Sequence, residues 1–194
     1  MTEEKFSPEQ SLQLIQSMIG KTREDISANA IYFLVWGWLA FIACVGQFVL
    51  KHIYEYPRHY LVWAVTFIGI AFSLYNGSRE QKKRKVKTYI SESIGHLWMG
   101  MAIAFFVLSV ILTRIGWYNQ PVFPFFIMLY GLGTFVSGSI LRFRPLVIGG
   151  VLAFCMAVGA GWVAYDYQML FAAAAILVSY IIPAYLLRAR RRAV

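Results

Sequence analysis

The sequence predicts an all-α, polytopic membrane protein with six transmembrane helices and an amphipathic helix ahead of them. Three observations carry that expectation. Of 194 residues, 59% are hydrophobic and only 14% charged, against about 25% charge in a soluble domain. The apolar residues fall into runs of about 20, long enough as helices to cross roughly 30 Å of hydrocarbon. The charges fall between those runs. Helices also satisfy every backbone polar group internally where no water is present.

The expected spans, taken in order, are about 31–50, 60–77, 94–112, 121–141, 145–165 and 169–187. None contains Asp, Glu, Lys or Arg. Residues 1–30 form the N-terminal segment and 188–194 a basic tail. The N-terminal segment is polar and mixed in charge, so it is not expected to be a cleaved signal, and the first span should be retained.

The stretch Asn76–Ile90, "NGSREQKKRKVKTYI", holds six basic residues: Arg79, Lys82, Lys83, Arg84, Lys85 and Lys87. Its reading depends on the whole chain. With six spans, Lys5, Lys21, Arg23, these six, Arg142, Arg144, Arg188, Arg190, Arg191 and Arg192 fall on one side. Lys51, Arg58 and Arg114 fall on the other. Cations stay on the cytoplasmic side during insertion, so both termini are expected there. The basic stretch is first a topology signal. Anionic lipid headgroups or an acidic partner could use it too. The net charge of +9 needs no nucleic acid, and no nucleic-acid motif supports one. Tyr54, Tyr56, Tyr60, Trp63, Trp117, Tyr118, Trp162, Tyr165 and Tyr167 gather at the expected outer ends, where amphipathic rings favour the interface.

Ahead of the first span, Ser7, Pro8 and Gln10 make a helix start. Leu12, Leu14, Ile15, Met18, Ile19 and Ile26 then cover one face of an amphipathic helix. In the fifth span, Gly149, Ala153, Ala157 and Gly161 recur every fourth position. Such a stripe lets helices approach closely in lipid, so spans four to six are expected to pack tightly.

Chemistry-bearing residues are sparse. Within the spans the polar side chains are Gln47 and scattered hydroxyls, which usually bond their own helix or a neighbouring one. No catalytic constellation, nucleotide motif or cofactor site is expected. Cys44 and Cys155 read as packing residues without metal-ligand spacing. His52, Glu55 and His59 in "KHIYEYPRHY" could converge on a metal, but Pro57 interrupts any shared helix face and no metal site is expected. Asp166 is the sole acid after Glu92, and with Arg114 it is expected to clamp two hairpins at the outer side.

"SLQLIQSMI", "LVWGWLAFIA", "LRFRPLVIGG" and "YIIPAYLLR" resemble segments of a family of small six-helix bacterial inner-membrane proteins with no known activity. The resemblance implies six spans and a bacterial inner-membrane location. It carries over no functional residues. The expected function is therefore non-enzymatic: an accessory, assembly or regulatory membrane subunit acting through helix–helix and cytoplasmic contacts. Its partners would be the bilayer and a membrane or cytoplasmic protein, or a second copy. The alternative is a small transporter or channel for an uncharged or amphipathic solute, lined by Gln47 and the span-four hydroxyls.

Overall fold

The computed structural model describes residues 30–83, 89–115 and 121–192, with side chains for 30–79, 89–115 and 121–189. Every regular element among them is helical. Helix α1 runs Ala30–Ile53 and ends in a π-turn over Val49–Ile53. A 3₁₀ segment, His59–Val65, leads into α2, Thr66–Lys83. Helices α3 (Tyr89–Ile115), α4 (Phe123–Ile140) and α5 (Arg144–Ala160) follow. Finally α6 (Tyr165–Ile176) passes through a second π-turn, Leu177–Ile181, into α7 (Ile182–Arg192). The N-terminal amphipathic helix expected from the sequence lies outside the described residues.

Five of these helical stretches are long and apolar enough to cross a membrane: Ala30–Ile53, His59–Arg79, Tyr89–Ile115, Phe123–Ile140 and Tyr165–Ala189. Helix α5 is apolar but shorter, at 17 residues. The fifth apolar run is cut at Gly161 and Trp162 by a turn, and Ala164 is extended, so Tyr165 opens the next helix instead of closing this one.

Neighbouring helices run antiparallel. Along α1, Gly46 faces Val62, Leu39 faces Gly69 and Trp36 meets Ser73. Trp98 and Phe105 of α3 meet Ser137 and Phe126 of α4. Lys51 near the end of α1 meets Asp166 at the start of α6, and Trp38 meets Tyr185 of α7. One end of the bundle thus carries the α1–α2 and α5–α6 connections. The other carries the α4–α5 turn with Arg142.

The α6–α7 rod is the centre. Over half of its spanning window, 56%, is buried, against 6% for the window that includes α2 and 11% for α3. Around it, α1 contributes Phe33, Ala40, Ala43, Cys44 and Gln47 to the interior. Phe33, Trp98, Tyr130 and Tyr180 meet edge to face where α1, α3, α4 and the second π-turn converge, a geometry worth about 0.5–1.5 kcal/mol per pair beyond area. The rod's own irregularity has a local cause. Pro183 has no N–H for the Ser179 carbonyl four residues back. The helix widens to a π-turn there, and the Ile182 N–H reaches the Leu177 oxygen instead.

Glycine sets the α4–α5 distance. A Cβ at Gly150 would lie 2.7 Å from Phe135 Cβ and 2.8 Å from the Phe135 backbone, while one at Gly138 would lie 2.7 Å from Val147 N. Gly149 faces the central rod, where a Cβ would come 2.8 Å from Ser179 Cα. Gly149, Ala153 and Ala157 are buried as the spacing suggested, whereas Gly161 is exposed in the turn beyond the helix. The stripe is therefore three residues long, and Gly150, outside its four-residue register, makes one of the two tightest approaches between α4 and α5.

The α4–α5 turn is equally tight. The Phe143 N–H bonds Gly138 O at 2.9 Å and the Arg142 N–H bonds Ser139 O at 3.2 Å. This is a Schellman closure. Arg142 occupies its left-handed position, with φ 50°, where glycine is the usual residue. Pro145 then supports the first turn of α5.

Candidate functional site

Polar side chains converge at the bundle end that carries the α1–α2 connection. Gln47 lies one helical turn before Lys51 on α1, so both can address the same neighbour. Its side chain is buried, at 1% exposure. Gln47 Oε1 accepts the Trp63 indole N–H at 2.5 Å. Gln47 Nε2 sits 3.1 Å from His59 Nδ1 and donates to the Tyr165 hydroxyl at 3.5 Å. One amide therefore ties α1 to the 3₁₀ segment and to the start of α6. A buried amide without these partners would cost about 1–3 kcal/mol, which explains why it is so fully engaged.

One turn on, the ammonium of Lys51 forms an ion pair with Asp166 and lies over the Tyr165 ring, 4.0 Å from its centroid. His52 Nδ1 approaches the other carboxylate oxygen at 3.4 Å and stacks on Phe48. Asp166 is in the first turn of α6, where the helix dipole favours negative charge. The π-turn over Val49–Ile53 holds both Lys51 and His52. Such turns displace the residues they carry relative to a regular helix.

This arrangement corrects the expected clamp. Asp166 is bound by Lys51 and His52, and the Arg114 side chain is exposed at the end of α3. The reason is packing: α6 lies against α1, whereas α3 packs on α4 and α1 at the rim. Both Arg114 and Lys51 end a helix on this side of the bundle, and their spacing in sequence gave no way to rank them. The signals available were Gln47, Lys51 and His52 sharing one helix end, and Tyr165–Asp166 opening the last apolar run.

The remaining expectations divide clearly. His52 and His59 do not join Glu55 in a cluster: among the described residues no three His, Cys, Asp or Glu side chains converge on a common point. Arg79 lies over the Tyr75 ring at 4.6 Å. The side chains of Lys82, Lys83, Arg84, Lys85 and Lys87 lie outside those described.

The hydroxyls of α4 make hydrogen bonds within the bundle. Thr134 donates to Tyr130 O at 2.7 Å, Ser139 donates to Phe135 O at 3.0 Å, and Ser137 accepts the Trp98 indole N–H. A cavity of about 10 Å³ lies among Cys44, Trp63, Phe123, Ile127, Ala172 and Ile176, at the lower limit for a single water. It is wholly apolar.

No protein-family model matches the chain, and no curated protein or solved structure is similar to it.

Proposed function

We propose that the chain is a non-enzymatic integral membrane subunit that assists, assembles or regulates a partner through helix–helix and cytoplasmic contacts. The observation that carries this reading is the contrast between a closed interior and two outlying helices. The centre is filled by close packing, and the polar groups of α1 and α4 are consumed by structural hydrogen bonds. By contrast α2 and α3 turn Phe67, Ile68, Leu74, Ile103, Phe106 and Val110 outward. Gly77, Gly95 and Gly100 on these helices have open space where a Cβ would be, so another helix could approach closely there.

On this reading α5 is the sixth crossing. It packs antiparallel to α4 along its length, and a slightly short apolar helix is accommodated by tilt or local thinning. Six crossings place both termini on the cytoplasmic side of a bacterial inner membrane, with the basic α2–α3 connection beside them. The N-terminal segment and that connection are then the cytoplasmic contact surfaces. A homo-oligomer would use the same α2 and α3 faces.

The transporter alternative asks for a path through the bundle or between copies. Purified chain in liposomes separates the two readings. An accessory subunit gives no solute flux, and loses its cellular phenotype when residues 1–29 are deleted. Flux that persists without those residues and disappears with Gln47→Leu would establish the transporter instead.

A further inference from the structure

Trp63, Gln47 and His59 form a hydrogen-bond chain whose polarity is fixed from one end. The Trp63 indole N–H can only donate. The atom it meets is therefore the Gln47 oxygen. The Gln47 nitrogen must then be the group facing His59 Nδ1 at 3.1 Å. Amide nitrogens donate, so Nδ1 is the acceptor and the ring is neutral, with its proton on Nε2. A second proton on Nδ1 would place N–H against N–H. Turning the amide over does not help, because its NH₂ would then face the Trp63 donor. His59 is 5% exposed, so water cannot readily replace the lost bond.

We propose that His59 is a proton-sensitive catch holding the 3₁₀ entry of α2 against α1 and α6, and that acidification opens it. The place in the fold gives the catch its effect. His59 and Trp63 are both on the His59–Val65 segment. Beyond it, α2 meets α1 at the Trp36–Ser73 bond, the Tyr32–Phe72 ring pair and the approach of Gly69 to Leu39 and Trp36. Releasing the catch frees the outlying helix at one end and leaves the α4–α5–α6 packing untouched.

The charged groups whose fields reach the ring are Lys51 of α1 and Asp166 of α6. They are paired with each other and partly offset. The Tyr165 hydroxyl shares the same Gln47 nitrogen, and His52 completes the carboxylate's partners. On its own segment, His59 meets the edge of Tyr60 and follows Arg58. Among these, His52 is the other imidazole, so the test must tell the two histidines apart.

The full chain, labelled with ¹⁵N at histidine and tryptophan, is reconstituted in phosphatidylcholine nanodiscs and followed by NMR. The three histidines and Trp63 are assigned by single substitutions. At about pH 7.5 His59 should show an unprotonated Nδ1 and a protonated Nε2. On acidification to about pH 5 the Trp63 indole proton should shift upfield as it loses its acceptor. His59→Gln should abolish that shift, and His52→Asn should preserve it. A His59 that carries its proton on Nδ1 at neutral pH overturns the proposal. So does a Trp63 resonance unmoved by acid, or a shift that survives His59→Gln. Should His59→Gln fail to fold, the wild-type tautomer and its change with pH still decide.

Discussion

Replacing Gly150 by alanine tests the α4–α5 packing most sharply. The added methyl would lie 2.7–2.8 Å from Phe135 Cβ, Cα and N. These are rigid atoms, so no side-chain rotation relieves the clash. An ordinary carbon contact needs about 3.5–4.0 Å. The two helices must therefore separate locally by roughly 1 Å, and dispersion contacts fall off steeply over such a gap. Overpacking of this kind costs about 1–3 kcal/mol. The same substitution at Gly100 of α3 meets nothing within 4 Å. It should be neutral or stabilise by up to about 1 kcal/mol through helix propensity. Reversible unfolding in mixed micelles, titrated with dodecyl sulfate and followed by far-ultraviolet circular dichroism, measures both. Gly150→Ala should lower stability by about 2 kcal/mol relative to Gly100→Ala. Equal effects of the two substitutions would refute the packing argument.

Other changes have defined outcomes. Asp166→Asn should lower stability by about 1–3 kcal/mol, since it removes a charge-assisted bond to Lys51; the exchange of Lys51 and Asp166 should recover part of that loss, and Arg114→Ala should stay within about 0.5 kcal/mol of the parent in the same titration. Gln47→Leu leaves the Trp63 indole and His59 without their shared partner. It should cost about 1–3 kcal/mol and move the Trp63 fluorescence. Arg142→Gly should raise stability by about 1 kcal/mol, because Arg142 holds a left-handed conformation that glycine adopts without penalty; thermal unfolding in nanodiscs would show the gain.

The all-α class and most helix positions were legible because apolar runs and charge gaps follow directly from the cost of placing ions in hydrocarbon. The close packing of α4 to α6 was legible from the spacing of Gly149, Ala153 and Ala157. Gly150 was not, because its role depends on which face of α5 meets Phe135, and periodicity shows a stripe without naming its partner. The polar end was harder. In the sequence Lys51 is one of three cations on its expected side of the membrane, and His59 stands in a loop with no partner that its neighbours in sequence identify. Only the antiparallel docking of α1 on α6 brings Lys51 to Asp166, and only the 3₁₀ turn carries His59 and Trp63 back to Gln47. The separation of 115 residues between Lys51 and Asp166 holds no local signal for that contact, and no hydrophobic period marks the turn that returns His59 to Gln47.

On the proposed role, α2 and α3 present a surface to another protein. Photo-crosslinkers placed at Phe67 of α2 and Phe106 of α3, both 70% exposed, and at Val158 of α5 as a control, would report on it in native membranes by mass spectrometry. A single stoichiometric protein adduct is expected at Phe67 or Phe106, either a distinct membrane protein or a second copy, with lipid adducts at Val158. Lipid adducts alone at all three positions, accompanied by solute flux from the purified chain, would contradict it.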